Sequence, residues 1–306
     1  MARSDIPPEL GPDFSFGDGR RSGVSRRRLA ASDLRSRFRG SRSRADPASL
    51  DRDVYAQRFD DLLSRCRAYL PVAPVDFRFS HVTAARIHRI PIPYELESRV
   101  DIDVTVAGTS APRRIGVIGH RTGRLPDRVI LEGLPVIPVE QSWIQLAPLL
   151  SLDDLIVAGD FLVRRKRPAS SLEKLADVAS AATGLPGAAR ARAALDEIRT
   201  GTDSPRESKL RLVIIRAGLP EPVIGHTVYF QGHFVGTPDL AFVKERIALD
   251  YDGSIHRDDE RVYNDDVERR QLFADAEWRY ITVTRENLRV PRGFLARLER
   301  LLRERQ

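Results

Sequence analysis

The spacing of apolar and polar residues changes along the chain, and each period predicts a type of element. Apolar residues recur at helical intervals from Val54 to Cys66 and predict a helix over Asp51–Tyr69, which Pro71 ends. Val100–Val106 alternates strictly between apolar and polar residues, which predicts a half-buried strand. The same patterns predict strands over Arg114–His120 and Asp127–Leu134, and helices within Phe79–Pro93, Gln141–Leu150, Leu152–Val163, Leu172–Ala182 and Ala188–Arg199. We therefore expect residues 51–200 to form a mixed α+β domain.

In residues 201–306 the helical and strand patterns follow one another in a different order, which predicts a separate second domain. The predicted elements are a helix at 205–217, strands at 223–230, 234–243 and 246–251, a helix at 258–277, a strand at 279–284 and a helix at 292–304. Gln231 and Gly232 are typical of the tight turn of a hairpin. The order αβββαβ predicts one small mixed sheet flanked by helices, and a fold class of α/β, or α+β over the whole chain.

The first fifty residues lack a hydrophobic pattern and are dominated by arginine, serine, glycine, aspartate and proline. They contain eleven arginines against six acidic residues, so most of the net charge of +7 lies in this segment. A composition of this kind predicts a disordered basic tail. Basic charge favours polyanionic partners such as nucleic acid, so the tail is expected either to contact DNA weakly or to be a solvated leader without a role.

Composition also limits where the protein works. No stretch of about 20 apolar residues is present, which predicts that the chain does not span a membrane. A single cysteine, Cys66, excludes an internal disulfide and is typical of a reducing cytoplasm. Three histidines of the first domain, His81, His88 and His120, share no ligand spacing, so we expect surface or core histidines and no active site there.

The stretch Thr237–His256 sets aspartates into two β-prone runs. A two-residue connection at Lys244-Glu245 would pair Val243 with Arg246, Ala241 with Ala248, and Asp239 with Asp250. Directly opposite residues share a face, and like charges placed there are destabilising. A cation between the two carboxylates would relieve this repulsion, and Asp252 lies on the same face as Asp250. Oxygen ligands of this kind favour Mg²⁺, with Mn²⁺ as an alternative.

Glu207 is a fourth candidate, and each acidic residue also has a purely structural interpretation. Glu207 completes a capping box with Ser204, but Leu210 and Ile214 follow at helical spacing and place it on the apolar face. A carboxylate on that face needs a partner such as a metal ion or a bound water. Asp239 after Pro238 and Asp252 before Gly253 are also typical turn residues, whereas Asp250 stands inside a predicted strand.

The second domain resembles a known family of nucleases over about Asp203–Leu302. It is similar to an endonuclease-domain family of undefined function, related to the very-short-patch repair (Vsr-like) endonucleases of the PD-(D/E)XK superfamily. The order αβββαβ is also that of the restriction-endonuclease-like core of this superfamily. The segments that carry the resemblance are SPRESKLRLVIIRAGLPEP, TPDLAF, RIALDYDGSIH and YNDDVERRQLFADAEWRYITVT.

This resemblance implies a metal-dependent hydrolysis of DNA phosphodiester bonds. The residues that match the family's motif positions are Glu207, Asp239, Asp250, His256, Asp266 and Arg269. Asp239 and Asp250 would hold one or two Mg²⁺ ions, together with Glu207 or Asp252. His256 would act as a general acid or base, and Arg269 would stabilise the charge on the phosphate.

The sequence departs from the superfamily pattern at two positions. Asp252 stands where the superfamily has a lysine, and Asp250 stands where most relatives have glutamate. A catalytically weak or inactive DNA-binding regulator is therefore the alternative function, and an interaction protein with a solvated acidic cluster is a third. Residues 51–200 resemble AbiEi-type antitoxin proteins through SHVTAARIHRIPIP, APRRIGVIGH and VEQSWIQLAPLLSLDDLIVAGDFLV. That resemblance implies an accessory module with a protein partner, as in toxin–antitoxin systems.

Overall fold

The structure is a computed structural model that describes residues 5–44, 53–252 and 260–305, with side chains from 267 in the last range. The helices are α1 (Phe16–Arg21), α2 (Arg26–Leu29), α3 (Val54–Tyr69), α4 (His81–Ile87), α5 (Tyr94–Glu97), α6 (Val139–Leu146), α7 (Leu152–Leu162), α8 (Leu172–Ala181), α9 (Ala188–Glu197), α10 (Pro205–Arg216), α11 (Glu260–Asp275), α12 (Arg285–Arg289) and α13 (Arg292–Glu304). No helix in these ranges is both long enough and apolar enough to cross a membrane.

Strands are short and belong to four separate sheets. They are β1 (Asp13–Ser15), β2 (Leu34–Arg35), β3 (Ser41–Arg44), β4 (Arg78–Phe79), β5 (Ile102–Ala107), β6 (Val117–Thr122), β7 (Val129–Leu131), β8 (Leu134–Val136), β9 (Val223–Ile224), β10 (Val228–Phe230), β11 (His233–Gly236), β12 (Leu240–Phe242), β13 (Ile247–Asp252) and β14 (Arg279–Thr284). The mixture of helices and sheets agrees with the predicted α+β class.

The chain divides into two compact units that interleave in sequence. The first unit is Met1–Ser151 with Lys174–Arg192, and the second is Leu152–Glu173 with Ala193–Gln306. The predicted boundary at residue 200 differs from this division because α7 belongs to the second unit. Its Asp160 carboxylate lies 3.2 Å from Arg211 Nη2 of α10, and both side chains are fully buried. Helical periodicity identified α7 and α10 but contained no information on this pairing.

The N-terminal segment is folded over residues 5–44, so the prediction of a disordered tail is wrong there. Strands β1, β3 and β2 form a three-stranded sheet over a small core of apolar side chains: Ile6, Phe14, Val24, Leu29 and Leu34. Arg42 Nε donates to the carbonyl of Leu29 at 2.5 Å, and Arg44 Nη2 donates to that of Ile6 at 3.0 Å. The arginines thus satisfy backbone acceptors, which composition alone does not reveal.

A five-stranded sheet in the order β6-β5-β4-β8-β7 forms the centre of the first unit. Its hydrophobic core includes Leu62 and Cys66 of α3, and Ile102 and Val104 of β5. The alternation in β5 predicted one solvent-facing side, but Asp103 and Thr105 on that side are 2% and 3% exposed. Helix α4 with its N-cap Ser80, and strand β6, supply the hydrogen-bond partners that these buried polar residues need.

The second unit is built on a four-stranded mixed sheet in the order β14-β13-β12-β9. Strands β12 and β13 are antiparallel, with Ala241 opposite Ala248 as the sequence predicts. Strands β13 and β14 are parallel. Strands β10 and β11 form a hairpin of their own, so the predicted single sheet is divided at Thr237-Pro238. Proline has no N–H for a strand ladder, which explains a break at this point.

The two faces of this sheet pack against different helices. One face contributes Leu240, Phe242, Ile247 and Leu249 to a core that includes residues of α10 and α13. The other face places Ala248 in a smaller cluster with Phe273 of α11. Residues that follow Ala248 at a period of two therefore face α11, and Asp250 is the first of them.

The buried pair of Asp160 and Arg211 generates a prediction about stability. Asp160→Ala leaves the Arg211 guanidinium buried beside one fewer carboxylate, which costs about 3–5 kcal/mol of unfolding free energy. Urea denaturation followed by circular dichroism measures this loss. Glu299→Ala is the matched control, because Glu299 pairs with Arg303 on the exposed face of α13, where such a pair contributes about 0–1 kcal/mol. Equal losses in the two variants would contradict the role given to Asp160.

Candidate functional site

Asp239 and Asp250 meet where β12 begins beside β13. The backbone N–H of Asp239 donates to Asp250 Oδ1 at 2.7 Å, and the backbone N–H of Tyr251 donates to Asp239 Oδ2 at 2.8 Å. Each carboxylate thus accepts a backbone hydrogen bond from the other strand. The predicted proximity of the two side chains is confirmed, and it follows from the register of the β12–β13 pair.

Asp250 has two further partners on its second oxygen. Tyr280 of β14 donates its hydroxyl to Oδ2 at 2.5 Å, and Arg269 Nη2 of α11 lies 2.7 Å from the same atom. Arg269 Nη2 also donates to the carbonyl of Thr237 at 3.1 Å. The repulsion between the two aspartates predicted a cation beside them, and one such cation is the guanidinium of the chain itself.

Glu207 lies in the first turn of α10 and is buried, at 8% exposure. Its Oε2 accepts the N–H of Asp203 at 2.9 Å, and its own N–H donates to Ser204 Oγ at 3.3 Å. Leu210 and Ile214 are fully buried on the same helix, as the period predicts. Glu207 is therefore both buried and part of the helix cap. Its carboxylate accepts the N–H of Asp203, which is the residue before the N-cap Ser204.

Burial and neighbouring charge alter the acidity of Asp239. Burial raises the pKa of its carboxyl to about 7, against the opposing effect of the hydrogen bond from Tyr251, and the charges of Glu207 and Asp250 raise it further. Burial, together with the charge of Asp250, also raises the pKa of the Tyr280 hydroxyl. Asp239 therefore gains and loses its proton near neutral pH, whereas an ordinary aspartate is ionised there.

The structure describes the remaining predicted site residues only in part. Asp252 is the last residue of β13 and pairs with Thr284 of β14, two positions beyond Asp250 on the same strand face. His256 lies within residues 253–259, outside the described part of the chain. Asp266 is within α11, and its side chain is also outside that part. Their predicted roles stay predictions.

Sequence reasoning missed a basic loop at residues 164–167, between α7 and α8. Arg165 Nη2 contacts Asp203 Oδ2, and Lys166 Nζ lies 3.4 Å from the same oxygen. The hydrogen bond to Asp203 raises the pKa of Arg165, and the charges of Glu207 and Asp239 contribute to that increase. The loop therefore borders the acidic cluster. The run Arg-Arg-Lys-Arg was the signal in the sequence, although nothing in it indicated this position.

A second group of side chains with ligand atoms lies in the first unit. His81, Asp103 and His120 each place one ligand atom within 4.8 Å of the others. His81 and His120, which share no ligand spacing in the sequence, therefore lie close together with Asp103 in the fold. Their spacing along the chain is uninformative because β5 and β6 bring distant residues together. Burial and the adjacent charge of His120 lower the pKa of His81 to about 4.

Comparison with known proteins identifies no match, so the function is inferred from the two clusters of side chains described above. The chain matches no protein-family model, no curated protein and no solved structure. The acidic cluster of the second unit contains the residues that the sequence singled out. The histidine cluster of the first unit is a feature that only the structure reveals.

The raised pKa of Asp239 generates a prediction about pH and stability. Because its folded pKa of about 7 exceeds the ordinary value of 3.8, the folded state binds the proton more tightly, and wild-type stability falls as pH rises from about 4 through about 7. Asp239→Asn keeps an acceptor for Tyr251 and removes this dependence. The variant should gain on the order of 1–4 kcal/mol relative to wild type between these pH values.

Urea denaturation in a buffer with a chelator, over that pH range, measures this difference. Glu245→Gln is the control, because Glu245 lies in the turn between β12 and β13 and its side chain is absent from the cluster. A constant difference between Asp239→Asn and wild type at every pH would contradict the assignment.

Proposed function

We propose that the chain is a metal-dependent DNA endonuclease, with the acidic cluster of Glu207, Asp239 and Asp250 as its catalytic centre. The observation that carries this proposal is the pair of aspartates held together by reciprocal backbone hydrogen bonds at 2.7 and 2.8 Å. Rigid carboxylates on paired strands are suited to bind a hard divalent cation. The resemblance of this unit to PD-(D/E)XK nucleases supports the same function.

The donors of the cluster are carboxylate oxygens, the chemical type that Mg²⁺ and Mn²⁺ prefer. Among the described residues, no hydrogen bond is formed to Asp239 Oδ1 or to Glu207 Oε1, so both oxygens keep their lone pairs for a ligand. Asp250 retains lone pairs beside the three contacts that it makes. When bound, the ion would polarise the scissile phosphate and acidify a water molecule.

The roles proposed for the side chains around the ion are as follows. Asp239 and Asp250 would hold the ion, and a bound cation would favour the ionised form of Asp239, whose pKa burial raises to about 7 in the metal-free chain. Arg269 lies 2.7 Å from Asp250 and would also stabilise negative charge on the phosphate. His256 remains the proposed general acid or base.

Positive charge for DNA comes from the basic loop. Arg165, Lys166 and Arg167 are exposed, and the first two contact Asp203 beside Glu207. Lysine and arginine side chains bind DNA phosphates and position the duplex. The loop would also supply cationic charge next to a site in which Asp252 replaces the lysine of the superfamily.

A DNA-binding regulator without cleavage activity is the second candidate. The contact between Arg269 and Asp250 favours it, since a guanidinium already compensates the charge that a metal ion would compensate. Tyr280 occupies the same oxygen. The antitoxin-like resemblance of the first unit fits this candidate as well.

Cleavage assays distinguish the two candidates. Purified wild-type protein with Mg²⁺ or Mn²⁺ should nick or cut DNA, and Asp239→Asn should reduce the rate by at least about 100-fold, as expected for loss of a carboxylate that would hold the ion. Glu245→Gln should cleave at the wild-type rate. The substrates are single-stranded, duplex and mismatched DNA. Intact DNA with both ions, together with binding that Asp239→Asn leaves unchanged, would contradict the nuclease and favour the regulator.

The basic loop generates a separate prediction about affinity. Lys166→Gln with Arg167→Gln should weaken DNA binding on every sequence and reduce the slope of log K against log salt by about 0.9 for each lost phosphate contact. Fluorescence anisotropy over a salt series measures this slope. Arg303→Gln, on the exposed face of α13, removes one positive charge elsewhere and should leave the slope unchanged. An unchanged slope in the double variant would exclude the loop from the DNA interface.

A further inference from the structure

The histidine cluster of the first unit brings together three elements. His81 begins α4, Asp103 lies on β5, and His120 lies on β6, which runs parallel to β5. His120 Nε2 is 2.9 Å from Asp103 Oδ1. The rings of His81 and His120 are stacked, with centroids 3.5 Å apart and an angle of 15° between their planes. Both histidines are only partly buried, so the cluster is open to solvent on one side.

We propose that His81, Asp103 and His120 bind one transition-metal ion of the Zn²⁺ class. Two imidazole nitrogens and one carboxylate oxygen are the donor set of open zinc sites, in which a water completes the coordination. The acidic cluster of the second unit offers oxygen atoms alone and therefore suits a different, harder ion. The proposed site goes beyond the nuclease function and does not depend on it.

Neighbouring hydroxyl groups orient the proposed ligands. Ser80 Oγ lies 3.0 Å from His81 Nδ1 and receives the hydroxyl of Thr105 at 2.8 Å. An Nδ1–H bonded to Ser80 leaves Nε2 of His81 as the donor to a metal. The N–H and hydroxyl of Thr83 each contact Asp103 Oδ2 at 3.4 Å. Asp103 therefore directs Oδ1 towards His120, and both ligands have the outer partners that metal sites require.

The backbone of His81 is held in a conformation that non-glycine residues rarely adopt. Its φ is +49°, in the left-handed region. The N–H of His81 donates to Gln145 Oε1 of α6 at 2.8 Å, and this bond holds the strained backbone. Strain of this kind concentrates at functional sites. Here it places an imidazole over His120 and Asp103.

Binding of the ion requires two local changes. A metal would replace the proton shared by His120 Nε2 and Asp103 Oδ1, with about 2.0–2.2 Å from each atom to the ion. An ion also lies in the plane of each imidazole that binds it, so the stacked rings cannot both reach it. The His81 ring must therefore turn out of the stack, which its partly exposed position permits.

Zinc binding by the purified full-length chain tests the proposal. Equilibrium dialysis against Zn²⁺ with elemental analysis should give one tightly bound equivalent, which Asp239→Asn in the acidic cluster leaves in place. His120→Gln and His81→Asn should each weaken binding by at least about 100-fold, and Ser80→Ala by about 10-fold. Asparagine tolerates the left-handed backbone at position 81. His233→Gln removes an exposed histidine of the second unit and should bind like wild type.

Two controls keep the test decisive. Circular dichroism without metal establishes that each variant is folded, and Zn²⁺ should raise the melting temperature of wild type and His233→Gln but not of His120→Gln. Co²⁺ as a substitute should give the visible absorption of a four-coordinate site in wild type and His233→Gln but not in His120→Gln. Absence of bound Zn²⁺ in wild type, or equal binding in wild type, His120→Gln and His81→Asn, would overturn the proposal.

Discussion

Two aspartate side chains take over hydrogen bonds that a strand ladder would otherwise provide. The chain enters β12 through Pro238, where the predicted continuous strand is divided into β11 and β12. Asp239 and Asp250 then bond the backbone of each other's strand at 2.7 and 2.8 Å. This arrangement fixes two carboxylates side by side, and Arg269 of α11 and Tyr280 of β14 contact Asp250. The two aspartates of the acidic cluster therefore also have a structural role that does not require a metal ion.

Compensation of charge is the common requirement of both clusters. Asp250 uses a guanidinium and a hydroxyl, whereas Asp239 reduces its own charge by holding a proton near neutral pH. Asp103 is 2% exposed and relies on His120, Thr83 and the more distant Arg99, 3.5 Å away. In each case a bound metal ion would have to displace partners that the chain already supplies. The affinity for metal is therefore set by what the ion must displace as much as by the ligands themselves.

Sequence patterns predicted the parts of the fold that depend on local rules. A two-residue turn fixes the register of β12 and β13, so the proximity of Asp239 and Asp250 could be predicted. Helical period alone placed Glu207 on the buried side of α10. The histidine cluster could not be found in this way, because it requires the parallel pairing of β5 with β6. Asp103 had the position of a solvent-facing residue in an alternating strand, and only the pairing of strands shows it to be buried. Composition likewise concealed the folded N-terminal sheet, whose apolar residues are few and far apart.

The position of α7 in the sequence affects the order in which the two units can fold during synthesis. The second unit needs α7, yet residues 174–192 of the first unit are synthesised before the chain returns to α10. Until Arg211 leaves the ribosome, Asp160 lacks the guanidinium that it pairs with in the finished fold. The first unit can begin to condense during translation, as N-terminal domains generally do. The core of the second unit can therefore be completed only after α10 has been synthesised, well after α7.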